Sequence, residues 1–330
     1  MRRLFRLFSI VFLGLTAVSP GTNAAVILMY HHVDTDTPRA TSISPELFAR
    51  HLKWIAESGL PVLPLSRLLE ESRNREVDAL AITFDDGYIS VYEKAFPLLK
   101  AYGWPFTVFV NPPRVGHSGL YANWQQLSEM KRAGAEIANH TFSHPHLTAL
   151  NETAIRHEIL QAQDAIERNL GSTPKLLAYP YGEFDPGTLK IVDALGFRAV
   201  AQHSGAVGPE TPMNAVPRFP MNDRYGQQAD LRLKVKTRPL PWTAEQGATI
   251  WHASTPPLLT FRLPDDIRSL NCFADGLGQI PVQRQGDLWS AQAPRLPALR
   301  RFKYTCTSPA ADGRFYWSSR LWIQTEISEP

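Results

Sequence analysis

Along residues 26–202 the apolar positions follow two alternating rhythms. Val26-Ile-Leu-Met-Tyr30, Leu80-Ala-Ile-Thr-Phe84 and Phe106-Thr-Val-Phe-Val110 are short unbroken apolar runs, the pattern of strands buried on both faces. Glu136-Ile-Ala-Asn139, Leu176-Leu-Ala-Tyr179 and Arg198-Ala-Val-Ala-Gln202 read as three more strands. Between these runs the spacing turns helical over residues 45–58, 89–102, 124–133, 152–170 and 186–195. In the first of these, Phe48, Leu52 and Ile55 share a face, Ser44 is placed to cap, and Pro45 suits the first helical position. Gly103, Gly134, Gly171 and Gly196 follow four of the helices as stop signals. Strand alternating with helix predicts an α/β fold, either a parallel sheet or a (β/α) barrel.

After about Arg224 the helical repeat fades. Short alternating segments such as Leu258-Leu-Thr-Phe-Arg-Leu263 and Gly313-Arg-Phe-Tyr-Trp-Ser318 take over, punctuated by prolines. This predicts a barrel domain over residues 25–230 and a small all-β, sandwich-like domain over 240–330. Trp251, Trp289, Trp317 and Trp322 crowd the second unit. They read either as its core or as a carbohydrate-binding surface.

The polar residues of the first unit are not scattered. His31, Asp85, Asp86, His140, Tyr181 and His203 each follow a strand. In a (β/α) barrel the C-terminal strand ends share one face, and that face carries the active site. Residues far apart in sequence are therefore expected to converge.

Composition adds little until the first residues are separated off. The chain has 330 residues, 44% hydrophobic and 20% charged, with a formal net charge of +3. Residues 1–24 hold Arg2, Arg3 and Arg6 and no acidic residue, so without them the net charge is zero. The basic start, the apolar run over residues 7–18 and Thr22 and Ala24 before a cleavage point form a secretory signal pattern. The apolar run is shorter than the roughly 20 residues a membrane-spanning helix needs. A cleaved signal and a periplasmic or extracellular location are expected, with a retained anchor as the alternative. A neutral mature chain gives no charge argument for nucleic acid. Cys272 and Cys306 are the two cysteines, and in an exported chain their expected state is a disulfide.

Two stretches carry the chemistry. In Thr83-Phe-Asp-Asp-Gly87 two carboxylates stand side by side after a strand, and in Asn139-His-Thr-Phe-Ser-His144 two imidazoles stand four apart. Asp86, His140 and His144 together would make an Asp-His-His set, the donor types of a catalytic zinc site that keeps a position for water. A cation on Asp86 would let Asp85 stay ionised beside it as a general base, and Gly87 would let the backbone turn out of the strand. Each stretch also has a purely structural reading: the histidines as strand caps or surface residues, and Asp86 as the N-cap of the next helix.

Taken with Tyr179-Pro-Tyr-Gly182, the same stretches in this order and spacing resemble the motifs of the polysaccharide deacetylases, carbohydrate esterase family 4. The resemblance covers about residues 26–225. It implies a distorted (β/α) barrel and metal-dependent removal of N- or O-acetyl groups from sugars. It makes Asp85 the general base, Asp86, His140 and His144 the ligands of a divalent metal (Zn2+, with Co2+ or Ni2+ as alternatives), and the Tyr181 backbone N–H an oxyanion donor. Two family features are absent. The arginine two residues before the motif-three proline is Ala178 here, and no Leu-x-His follows His203 before the β unit. The opening Leu28-Met-Tyr-His31 instead resembles that of the biofilm poly-β-1,6-N-acetylglucosamine deacetylases, whose permuted barrel brings the acid histidine first. That implies His31 as general acid, ahead of His203 and His32, since an imidazolium can protonate a leaving amine near neutrality. Arg218 is the candidate to replace the missing arginine. Tyr121 and Trp124 are candidates for sugar contact, while His146 is expected to point away from the metal and His117 to be solvent-exposed in its loop.

The expected partner is an acetylated amino-sugar polysaccharide, with envelope polysaccharide synthesis or export machinery as a further candidate. An O-acetyl ester or peptidoglycan substrate is the alternative within the same chemistry. A non-catalytic glycan-binding protein is the alternative outside it.

Overall fold

The computed structural model describes residues 25–75, 77–244 and 249–328. The signal-like segment 1–24 lies outside the described residues. Among the described residues no helix is long and apolar enough to cross a membrane.

Seven parallel strands form the main sheet, in the spatial order Arg198–Val200, Leu176–Ala178, Glu136–Asn139, Thr107–Val110, Ala79–Phe84, Ala25–Tyr30 and Phe219–Pro220. With its helices this is a half-barrel, a distorted (β/α) barrel as expected. Every residue of Ala25–Tyr30 and Ala79–Phe84 is buried, because parallel strands are covered on both faces. The first strand is not an edge. It pairs with Ala79–Phe84 on one side, Tyr30 opposite Phe84, and with Phe219–Pro220 on the other, Leu28 opposite Phe219. The residues that leave these strands, His31 and Asp85, are therefore neighbours, and the Asp85 N–H donates to the Tyr30 carbonyl at 3.0 Å.

The helices Pro45–Ser58, Trp124–Arg132, Glu152–Leu170 and Pro186–Ala194 follow the apolar repeat closely. Residues 89–102 depart from it. A π turn, Val91–Ala95, precedes the α-helix Phe96–Tyr102. Pro97 has no N–H to continue the i→i−4 ladder, and the Phe96 N–H reaches back five residues to the Val91 carbonyl. Helices Leu65–Asn74 and Gln228–Lys234 and the strand Phe219–Pro220 have no counterpart among the elements read from the sequence. The last two are only seven and two residues long, too short for a period to emerge.

The C-terminal region is all β apart from its connections. One sheet has the order Thr237–Arg238, Phe315–Ile323, Arg301–Pro309, Asn271–Ala274, Gly278–Ile280; the other has Thr243–Ala244, Leu258–Arg262, Leu288–Gln292, Val282–Gln285. Phe261, Trp289, Phe302, Tyr304 and Trp322 fill the core between them. Cys272 and Cys306 are direct cross-strand partners and form the expected disulfide. The tryptophans therefore serve packing more than any open face. Trp289 and Trp322 are buried, and Trp317 leaves the unit altogether to meet Phe219 of the main sheet edge-on at 5.4 Å. Leu321 and Ile323 join the cluster that contains Leu177 and Tyr179, so the two units share apolar core.

Candidate active site

The site is built at the C-terminal ends of the parallel strands. Asp85 leaves Ala79–Phe84 into complete burial. An isolated carboxylate there would be neutral, since burial raises its pKa. Arg218, also fully buried, meets it with a two-pronged bond: Nη1 donates to Oδ1 at 2.7 Å and Nη2 to Oδ2 at 2.8 Å. The guanidinium is itself fixed by Nε donating to the Ala201 carbonyl at 2.9 Å and Nη1 to Thr83 Oγ1 at 3.1 Å. Burial raises the Asp85 pKa, but the charge and hydrogen bonds of Arg218 outweigh it and hold the carboxyl well below its ordinary value. Ala178 thus lacks the guanidinium of the family motif, and a residue beside the Phe219–Pro220 strand supplies one from across the sheet.

Asp86 sits in the left-handed region, φ 68°, as does Gly87 at 70°. The backbone turns sharply here. A Cβ on Gly87 would stand 2.9 Å from Val110 Cγ1, so the turn needs glycine for space as well as for φ. Asp86 is not a helix cap: Ser90 holds the cap position of the turn that follows, and the buried Asp86 Oδ1 has no hydrogen-bond partner. That oxygen instead lies 3.6 Å from His140 Nε2 and 3.5 Å from His144 Nε2, with Arg114 Nη1 at 3.6 Å.

The His140–His144 loop is held in a costly shape by buried amides. Thr141 and His144 both have positive φ, 64° and 62°. Such residues cost of order 1–3 kcal/mol each and persist only where the surroundings over-determine them. Asn111 Nδ2 donates to the carbonyls of His140 and Thr141, and Asn139 Oδ1 accepts from the Thr141 N–H at 2.8 Å. Glu158 accepts from the Ser143 N–H at 2.8 Å and its hydroxyl at 2.7 Å. Asn111 and Glu158 escape sequence reading, because a lone amide or carboxylate has no signature.

The donor chemistry of this cluster fits a divalent metal. His140 Nδ1–H donates to the Ala178 carbonyl at 2.8 Å, which leaves the Nε2 lone pair facing Asp86. Burial, reinforced by the neighbouring His140, pushes His144 down to about 3, so its imidazole is neutral at pH 7. One ligand atom from each of Asp86, His140 and His144 lies within 4.8 Å of the others. An orphaned buried carboxylate oxygen facing two imidazole nitrogens is a cation's donor set, of the kind zinc accepts.

Of the three candidate acids, His31 lies next to Asp85, with Nε2 3.9 Å from Asp85 Oδ2 and its side chain partly exposed. His32 stacks on Tyr88 at 3.5 Å, and burial lowers its pKa to about 4. His203 lines a cleft of about 170 Å³ between the two units, together with Tyr181, Asp275, Arg301 and Lys303. Burial lowers its pKa to about 3. Tyr181 has φ 58°, and its ring meets His144 edge-on at 4.6 Å. Trp124 packs against the main core, whereas Tyr121 stacks on Tyr88 at 5.1 Å. His117 is exposed, and His146 turns away from the cluster to bond Glu183 at 2.9 Å.

Known proteins are similar to this chain in sequence and fold. Residues 72–200 match the family model described as polysaccharide deacetylase. YxkH of Bacillus subtilis, a protein named for that family, is 28% identical over 196 residues, 58% of this chain and 69% of its own. The poly-β-1,6-N-acetyl-D-glucosamine N-deacetylase of Staphylococcus aureus is 24% identical over 231 residues, 61% of this chain and 80% of that one. Among solved structures, the Streptococcus pyogenes deacetylase PplD in complex with acetate superposes with a TM-score of 0.60 at 25% identity, over 64% of this chain and 98% of PplD.

Proposed function

We propose, from the premise that this chain carries a polysaccharide deacetylase domain, that it is an exported metal-dependent hydrolase that removes N-acetyl groups from an N-acetylglucosamine-containing polymer. One observation carries the reading: a buried carboxylate kept ionised by Arg218, beside an Asp-His-His donor set and 3.9 Å from His31. The donor types favour zinc. Export rests on the pattern of residues 1–24, and the mass of the mature chain tests it.

A divalent cation on Asp86, His140 and His144 would lower the pKa of water at the site and polarise the acetyl carbonyl. Asp85 accepts the proton of the attacking water. Its partner Arg218 keeps it deprotonated and fixes the direction of its lone pairs. The backbone N–H of Tyr181 donates to the developing oxyanion. Protonated His31 gives its proton to the departing nitrogen. An amine leaves poorly without that proton, and a histidine beside the base therefore favours an amide substrate over an ester.

The test is acetate release from β-1,6- and β-1,4-linked N-acetylglucosamine oligomers, using chelator-stripped protein given back zinc or cobalt. Metal-restored release establishes the activity, and the preferred linkage names the polymer class. Release from O-acetylated sugars alone would replace this reading with the esterase. Glycan binding without any release would replace it with a binding role.

Arg218→Lys keeps the charge but cannot make the two-pronged bond. The loss of one hydrogen bond to a charged group is worth about 1.5–3 kcal/mol, or roughly 10- to 100-fold in kcat/KM. The Asp85 pKa is depressed in the folded state, so the pair's stability is complete above about pH 4 and is lost as pH falls through the folded value. With Arg218 weakened, burial is less opposed and that pKa rises. The acid limb of the kcat/KM profile is then expected at higher pH than in the wild type, and an unmoved limb would rule out Arg218 as the group that tunes the base.

A further inference from the structure

Among the described residues the buried carboxylates are Asp85, Asp86 and Glu183. The first two belong to the site, and Glu183 follows it by two residues, after Tyr181 and Gly182. Its partners come from both units of the protein. From the main unit, His146 Nδ1 lies 2.9 Å from Oε2 and Thr148 Oγ1 donates to the same oxygen at 3.2 Å. From the β unit, Arg300 Nε donates to Oε1 at 2.8 Å and Nη2 to Oε2 at 3.2 Å, while Arg301 Nη1 donates to Oε1 at 3.0 Å.

The same groups bracket the Tyr181 side chain. The His146 ring stacks on it at 4.0 Å with planes 13° apart, and the Arg301 guanidinium carbon lies 5.5 Å from its centroid. Tyr181 needs this support, since a bulky residue at φ 58° is held there only by its surroundings. Adhesion between the units does not rest on the cluster alone. Trp317 on Phe219 and the shared apolar core provide it, and a buried ionic cluster is a poor source of net stability but a good determinant of geometry. Arg300 and Arg301 also lie outside the 72–200 family match.

We propose that the C-terminal β unit is a working part of the active site, with Arg301 and Arg300 acting through Glu183 to hold the turn at residues 179–182 in the conformation that aims the Tyr181 N–H. This rests on the oxyanion role given to Tyr181 above. Arg301 is a positioning residue and touches no reacting atom.

The experiment uses the full chain with Arg301→Ala and Arg301→Lys. Its readouts are acetate release from N-acetylglucosamine oligomers, zinc content, melting temperature and amide hydrogen exchange of residues 179–184. Losing an oxyanion donor costs about 10²–10³ in kcat, and loosening one is expected to cost Arg301→Ala roughly 10- to 100-fold, with KM and zinc content unchanged and exchange faster over 179–184. Arg301→Lys, which can still donate to Oε1, is expected to recover most of the loss. Wild-type kcat with unaltered exchange in Arg301→Ala overturns the proposal. So does a loss of kcat, zinc and melting temperature together, which would mark general destabilisation. If the wild type releases acetate from no oligomer, yet exchange over 179–184 still quickens in Arg301→Ala, the positioning stands and the substrate reading falls.

Discussion

Asp85→Asn is expected to lower kcat by about 10²–10⁴-fold, the usual worth of a general base, while the protein keeps its metal. The substitution preserves shape but not bonding. Asp85 accepts from both Arg218 Nη1 and Nη2, whereas an asparagine offers one acceptor and turns its own N–H donors toward the other nitrogen. Arg218 is left as a buried, half-satisfied charge, and breaking a buried pair from one side costs about 3–5 kcal/mol. The variant should therefore be both inactive and less stable in urea, with zinc content at the wild-type level. Turnover near the wild-type rate would remove Asp85 from the role of base. Zinc loss with the folded state intact would mean that Asp85, not only Asp86, belongs to the donor set.

His140→Ala is expected to lose both metal and turnover. Its Nε2 faces Asp86 at 3.6 Å, and its Nδ1 is tied to the Ala178 carbonyl, so the alanine removes a donor and the bond that aims it. Lewis-acid assistance is worth several kcal/mol, which corresponds to about 10²–10⁴ in kcat. Added zinc should restore chelator-treated wild type but not the variant. Retention of stoichiometric zinc by His140→Ala would exclude it as a ligand. The two variants together separate the groups that hold the metal from the group that moves the proton.

Much of this was legible because it is local. A strand ending in two acids, and a strand followed by a histidine pair, are short-range patterns, and the rule that parallel strand ends share a face brings them together without coordinates. The same reasoning reaches His31 only through the resemblance, because nothing near it in sequence marks a histidine after a strand as an acid. Arg218 was harder still. Proline flanks it on the N-terminal side and a two-residue strand follows, so no period announced its element, and its carboxylate partner is 133 residues away. The tryptophans of the β unit show the opposite case. Their number invited a sugar-binding surface, but number does not reveal direction, and Trp289, Trp317 and Trp322 point into core or interface.

By itself the sequence determined most of the longer elements, their alternation and the residues at strand ends, since apolar period and turn chemistry act over a few residues. It also determined the donor types of the site, because only side-chain identity sets those. Tertiary structure alone decided which groups are paired and which are left facing each other. The position of Ala25–Tyr30 between Ala79–Phe84 and Phe219–Pro220 sets His31 and Arg218 on Asp85, and the docking of the β unit sets Arg300 and Arg301 on Glu183. Both depend on long-range packing of strands, a property of the whole chain's burial that no window of the sequence contains.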